Sequence, residues 1–279
     1  MAELVFGFGE NWARFLTSLT DQQIEQATHG VRALLGRDLR DKTFLDIGSG
    51  SGLSSLAARR LGAARVYSFD YDPQSVACTQ ELRRRFFPGD AAWTVSQGSV
   101  LDQAFLATLG QFDIVYSWGV LHHTGRMWVA IDNAARLVRP GGLFVIGIYN
   151  FRGGRRGTAT WTRLKRWYCK APRWQQVAWE NAYLVWDLVS MAAVGRNPIR
   201  KVREYHTGRG MSWRRDVTDW LGGYPYEAAT PGEILEFVRR KFNFVLIKQN
   251  IDMHLGVSEY VFESALPSAR DGIPPDTQA

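Results

Sequence analysis

The chain has 279 residues, 46% hydrophobic and 22% charged, a balance that excludes global disorder and suits one large α/β domain or a core carrying an insertion. The net charge is only +7, so where the charge lies matters more than its total. Residues 1–15 contain no basic leader, and the longest apolar stretch, 182–194, contains Asp187 and is too short to span a bilayer. Cys78 and Cys169 have no metal or redox spacing, so the reading is a cytoplasmic protein with buried thiols, no metal and no transmembrane segment.

Residues 1–42 read as a helical segment or lid, with a helix over Asn11–Leu35. From 43 to 150, short apolar runs alternate with helical patterns, the signature of βαβ units and a parallel sheet. Strands are predicted at Thr43–Ile47, Arg65–Phe69, Ala92–Ser96, Phe112–Ser117 and Leu143–Tyr149. Helices should run near 51–61, 73–87, 101–109 and 126–138, with Pro73 at a first helical position and Pro140-Gly141-Gly142 stopping the fourth.

The rhythm breaks over 151–230, where helices are predicted at Ala159–Lys170 and Arg173–Val194. It resumes with a helix at Pro231–Lys241 and strands at Phe242–Gln249 and Glu259–Glu263, so the core is 43–150 plus 231–266. The tail, 267–279, has three prolines and reads as mobile. The expected fold class is α/β: a doubly wound, mostly parallel seven-stranded sheet with a helical insertion after the fifth strand.

The decisive stretch is Phe44-Leu45-Asp46-Ile47-Gly48-Ser49-Gly50-Ser51-Gly52. A buried strand ends beside an acid, and a glycine-rich turn then opens a helix, at the end of the sheet where such folds bind ligands. The second strand closes on Asp70, placed to accept bonds from two ribose hydroxyls. A dinucleotide fingerprint would need glycine at position 53, where Leu53 stands.

This spacing resembles the first two motifs of class I S-adenosylmethionine (SAM)-dependent methyltransferases, and the resemblance runs through 43–150. It implies a Rossmann-like fold, SAM as cofactor, and Gly48, Gly50 and Gly52 walling its methionine part above Asp46. Asp70 would hold the ribose and Gly98-Ser99-Val100 would border the adenine. Ser49, Tyr71, Ser117 and Trp118 complete the expected cofactor set. Val120-Leu121-His122-His123 resembles the form of the fourth motif common in small-molecule methyltransferases.

For the acceptor, methyl transfer chiefly demands alignment, but a hydroxyl acceptor also needs a base, and His122 or His123 has suitable chemistry. Either could instead shape the pocket. Phe8, Asn11 and Trp12 lie in a segment of glycines between aromatics that reads as a lid, or as packing on the core. Tyr149 and Asn150 end the fifth strand beside the cleft, and Arg209 and Tyr224 lie in loops of the insertion; these seven are the expected acceptor contacts.

Residues 151–215 hold fifteen Lys/Arg against three acids, a local excess of +12, with six tryptophans. That composition reads as a helical cap with a tryptophan core. It suits an anionic or sugar-like acceptor and leaves peripheral membrane contact open. The 209–227 region is similar to a subgroup of bacterial methyltransferases from surface-polysaccharide and secondary-metabolite pathways. The expected activity is therefore methyl transfer to an oxygen or nitrogen of such a small molecule. An RNA methyltransferase is the alternative, against which stands the lack of an Asn/Asp-Pro-Pro-Tyr/Phe signature after strand four. A silent SAM-fold binding module is the third reading.

Overall fold

The structure is a computed structural model describing residues 9–155, 157–193, 195, 197–198, 213–252 and 256–266. Seven strands form one sheet in the order β3-β2-β1-β4-β5-β7-β6. They are β1 (Thr43–Ile47), β2 (Arg65–Asp70), β3 (Trp93–Gln97), β4 (Phe112–Trp118), β5 (Val138–Tyr149), β6 (Val245–Asn250) and β7 (Val257–Glu263). β1 to β5 are parallel, and β7 runs antiparallel to both β5 and β6. The order reverses at β1/β4, and the carboxyl ends of those two strands define the crevice where such sheets take ligands.

The parallel strands read as continuous apolar runs because both their faces are covered. One face packs on α2 (Asp21–Leu35), α3 (Leu53–Arg60) and α4 (Pro73–Phe86), around Phe44, Leu56, Leu82 and Trp93. The other packs on α5 (Gln103–Ala107), α6 (Met127–Ala135) and α10 (Pro231–Phe242), around Phe112, Ile131, Phe144 and Ile234. Each fully buried large apolar side chain contributes roughly 1.5–3 kcal/mol.

The single helix expected over 11–35 is two, α1 (Gly9–Thr17) and α2. Thr20 caps α2 by accepting from the Gln23 amide, while the Gln23 side chain accepts from the Thr20 amide, a reciprocal box worth about 1 kcal/mol that starts a new helix there. The Pro140-Gly141-Gly142 stretch lies inside β5, and α6 ends earlier, at Ala135.

Beyond β5, α7 (Thr158–Lys170), α8 (Arg173–Ala193) and α9 (Trp213–Gly222) pack together. The sequence pattern predicts no helix where α9 stands. The core shared by these three helices is Tyr168, Val217 and Leu221, with Trp161, Tyr183, Trp213 and Trp220 against them. Trp167, Trp174, Trp179 and Trp186 instead stand exposed, so only part of the expected tryptophan core forms.

Candidate active site

The loop after β1 is held by backbone bonds: the Gly48 and Ser49 amides both donate to the Phe69 carbonyl, at 2.8 and 3.1 Å. Gly48 has φ +73°, and a Cβ there would lie 2.4 Å from Val120, so the close approach of this turn to β4's exit requires glycine. Gly50 donates to Asp70 Oδ2 at 2.9 Å, and the Asp72 amide donates to Asp70 Oδ1 at the same distance. Asp70 is thus clamped at the cavity wall, and burial raises its pKa despite those bonds.

Beneath the loop, buried Asp46 accepts from Ser55 Oγ at 2.5 Å, and Trp93 Nε1 donates to Ser68 Oγ in the same network. Burial, and then the charge of Asp70, lift the Asp46 pKa to about 7, against the Ser55 bond.

These residues form one end of a cavity of about 990 Å³, at the upper edge of the roughly 300–1,000 Å³ range of small-ligand sites. Asp46, Gly48, Ser49, Gly50, Asp70, Tyr71, Ser99, Val100 and Trp118 all line it. Gly52 and Ser117 do not. Gly52 serves as the left-handed N-cap of α3 against Thr79, and Ser117 is buried with its hydroxyl donating to the Ile47 carbonyl.

The other end is built from α1, the β4 and β5 exits and the cap: Trp12, His123, Tyr149, Tyr183, Asp219 and Trp220. Asn11 does not line the cavity; its amide donates to Asp219 Oδ1 at 2.6 Å, tying α1 to α9. α1 is also fastened by the Gly9 amide to Asp72 Oδ2, at 2.8 Å, and Trp12 lies over Gly50. The aromatic segment read as a lid therefore contributes Trp12, while Phe8 lies outside the described residues, as do Arg209 and the tail.

The two histidines separate. His123 lines the cavity and its Nδ1 donates to the Pro225 carbonyl at 2.7 Å, which leaves the neutral ring's lone pair on Nε2. Burial lowers its pKa to about 3, so the ring is uncharged at physiological pH. His122 lies behind the wall, fully buried, 4.2 Å from the Tyr149 ring, with Nδ1 accepting from the Tyr149 amide at 3.4 Å. From there its contact is with Tyr149 and not with the cavity.

Asn150 and Tyr224 also lie outside the cavity lining; the Asn150 amide turns to the Asp252 carbonyl. Sequence reasoning missed Tyr183, Asp216, Asp219 and Trp220, all on cap helices and all lining the cavity. It also missed Lys165, buried beside this wall, which donates to the Trp220 carbonyl and sits 3.9 Å over the Trp220 ring and 4.7 Å over Tyr226. Burial lowers its pKa to about 7. Among the described residues no cluster of His, Cys, Asp and Glu could hold a metal ion.

A doubly wound sheet with this strand order, a glycine loop after β1 and an acid ending β2 defines a class I methyltransferase fold, whose cofactor is SAM. Residues 45–146 match the family described as a methyltransferase domain, and over that stretch the chain is similar to the class I SAM-dependent methyltransferases. The chain is 30% identical over 148 residues to the ribosomal protein L11 methyltransferase of Bacillus cytotoxicus, covering 48% of this chain and 45% of the relative. It is 36% identical over 124 residues to that of Methylococcus capsulatus, covering 43% and 39%. The chain spans less than half the length of these curated relatives. Among solved structures, an O-methyltransferase family protein from Burkholderia thailandensis superposes with a TM-score of 0.53 at 14% identity, covering 87% of this chain and 57% of that one. Magnesium protoporphyrin IX methyltransferase from Synechocystis, with bound S-adenosylhomocysteine (SAH), superposes at 0.50 with 13% identity, covering 88% and 84%. At such identities these likenesses bear on the fold.

Proposed function

We propose that the chain transfers the methyl group of SAM to an oxygen or nitrogen of a small-molecule acceptor of saccharide or secondary-metabolite type. The observation that carries this reading is the continuity of one cavity from the Gly48–Gly50 loop and Asp70 to the aromatic wall of Trp12, Tyr149, Tyr183 and Trp220. The loop residues suit SAM: the glycines let the backbone come close to it, and Asp70 offers a fixed acceptor for the ribose diol. When bound, SAM supplies a sulfonium methyl for in-line displacement. The aromatic faces at the far end would orient the acceptor, and the buried wall would exclude water.

His123 Nε2 is the lone pair we assign to take the proton of a hydroxyl acceptor. With its pKa held near 3 by burial it is a weak base, and the proton can pass to it only as the sulfonium gives up its positive charge in the same cavity, whereas an amine acceptor needs only alignment. Among the described lining residues the acceptor end is dominated by the aromatic faces of Trp12, Tyr149, Tyr183 and Trp220, which suit the rings of a small organic acceptor.

The test incubates the protein with methyl-labelled SAM and separate ultrafiltered-metabolite, protein and RNA fractions of a bacterial extract. Label is expected in the metabolite fraction. Label confined to protein or RNA would overturn the assignment, as would no transfer to any fraction by a protein that binds SAH.

A further inference from the structure

The cap has two faces, and only the inner one is used by the cavity. On α8, Tyr183 points to the cavity, while Trp174 (71% exposed), Trp179 (43%), Val185 (59%), Trp186 (52%) and Val189 (61%) stand in solvent with alanines between them. At 100° per residue these positions fall within one contiguous sector somewhat under half the circumference, along a helix of 21 residues, or about 30 Å. No charged side chain lies in that sector. Glu180 turns inward to accept from Tyr168 and Arg173, and Asp187 accepts from Trp213 Nε1. A stripe of this extent is unusual on a protein surface unless something covers it.

Beside the stripe runs a basic row. Arg163, Arg166 and Lys170 of α7 are all exposed, and Trp167 joins them to the stripe through its contact with Trp179, ring centroids 5.5 Å apart. We propose that this face docks the protein on an anionic lipid surface, α8 lying in the interface with its tryptophans at headgroup depth and the α7 cations against lipid phosphates.

Charge decides the occupant. A second copy seated here would bring two rows of Arg163, Arg166 and Lys170 together, whereas an anionic bilayer offers the opposite sign. Tryptophans flanked by Lys and Arg are the composition of interfacial helices. Among the described residues no helix is long and apolar enough to cross a membrane, so the contact lies on the surface. The inner face of the same helix lines the cavity, so docking would hold the acceptor site about one helix diameter, 10–12 Å, from the lipid.

Sedimentation with vesicles tests this independently of catalysis. The protein should sediment with equimolar phosphatidylglycerol–phosphatidylcholine vesicles, much less with phosphatidylcholine alone, and be released by high salt. A Trp174→Ser/Trp186→Ser variant and, separately, an Arg163→Glu/Lys170→Glu variant should each lose about tenfold or more in partitioning while binding SAH normally. Wild-type protein that ignores anionic vesicles, or binds them equally well in both variants, refutes the proposal. So does a concentration-dependent dimer abolished by the tryptophan variant, which would make the face an interface between copies.

Discussion

The two ends of the cavity are built differently. The cofactor end hangs on consecutive backbone: one loop, closed by amide bonds to Phe69 and Asp70, with its acids fixed at strand ends. The acceptor end is assembled from side chains of α1, β5, α8 and α9, which meet only in the folded protein. The first end is set by one continuous stretch of chain. The second depends on how the inserted helices pack, so under the proposed function cofactor binding and acceptor choice would be set by separate parts of one cavity.

The sharpest break in that comparison is His123→Ala. If the acceptor is a hydroxyl, turnover should fall on the order of 10²–10⁴-fold while SAH affinity in calorimetry stays nearly constant. Near-normal turnover would remove the base and leave alignment of an amine as the chemistry. Next comes Asp70→Ala, which should weaken SAH binding by about 100-fold, since each hydrogen bond to a charged acceptor is worth roughly 1.5–3 kcal/mol. Unchanged affinity in a folded variant would show that Asp70 does not hold the ribose.

The smallest effect is a pH dependence from Asp46. Its pKa of about 7 means the folded protein retains a proton that the unfolded chain, with its ordinary carboxylate, has released. Stability should therefore fall as pH rises from about 4 to 7, by the linkage of proton uptake to folding. A cationic ligand favours the ionised form, so SAM affinity should tighten between pH 6 and 8 by at most about tenfold. Asp46→Asn should flatten both profiles; an unchanged titration would place the effect elsewhere.

The glycine-loop end of the cavity was legible in sequence because its geometry is local. Asp46, Gly48, Gly50 and Asp70 sit where a strand-loop-helix pattern must put them, and the seven-stranded fold follows from the same alternation. Gly52 and Ser117 belong to the motif segments but serve the scaffold, a distinction that only packing makes. At the acceptor end the histidine pair gave no sign of which ring faces the cavity; the Pro225 carbonyl and Tyr149 decide it, one from the cap loop and one from β5. Asp219 and Trp220 belong to a helix that local pattern did not reveal. Trp179 and Trp186 show the converse: at helical spacing they read as core, yet their helix turns them outward.

Helix α1 gives the two ends a common mechanical element. In nine residues it is tied to Asp72 and laid over Gly50 at one end, and bonded through Asn11 to Asp219 at the other. A ligand that displaces α1 at either end alters the partners offered at the other. Whatever factor the acceptor imposes on cofactor affinity, the cofactor must return to the acceptor, because a coupling free energy belongs to the pair of sites and to neither alone.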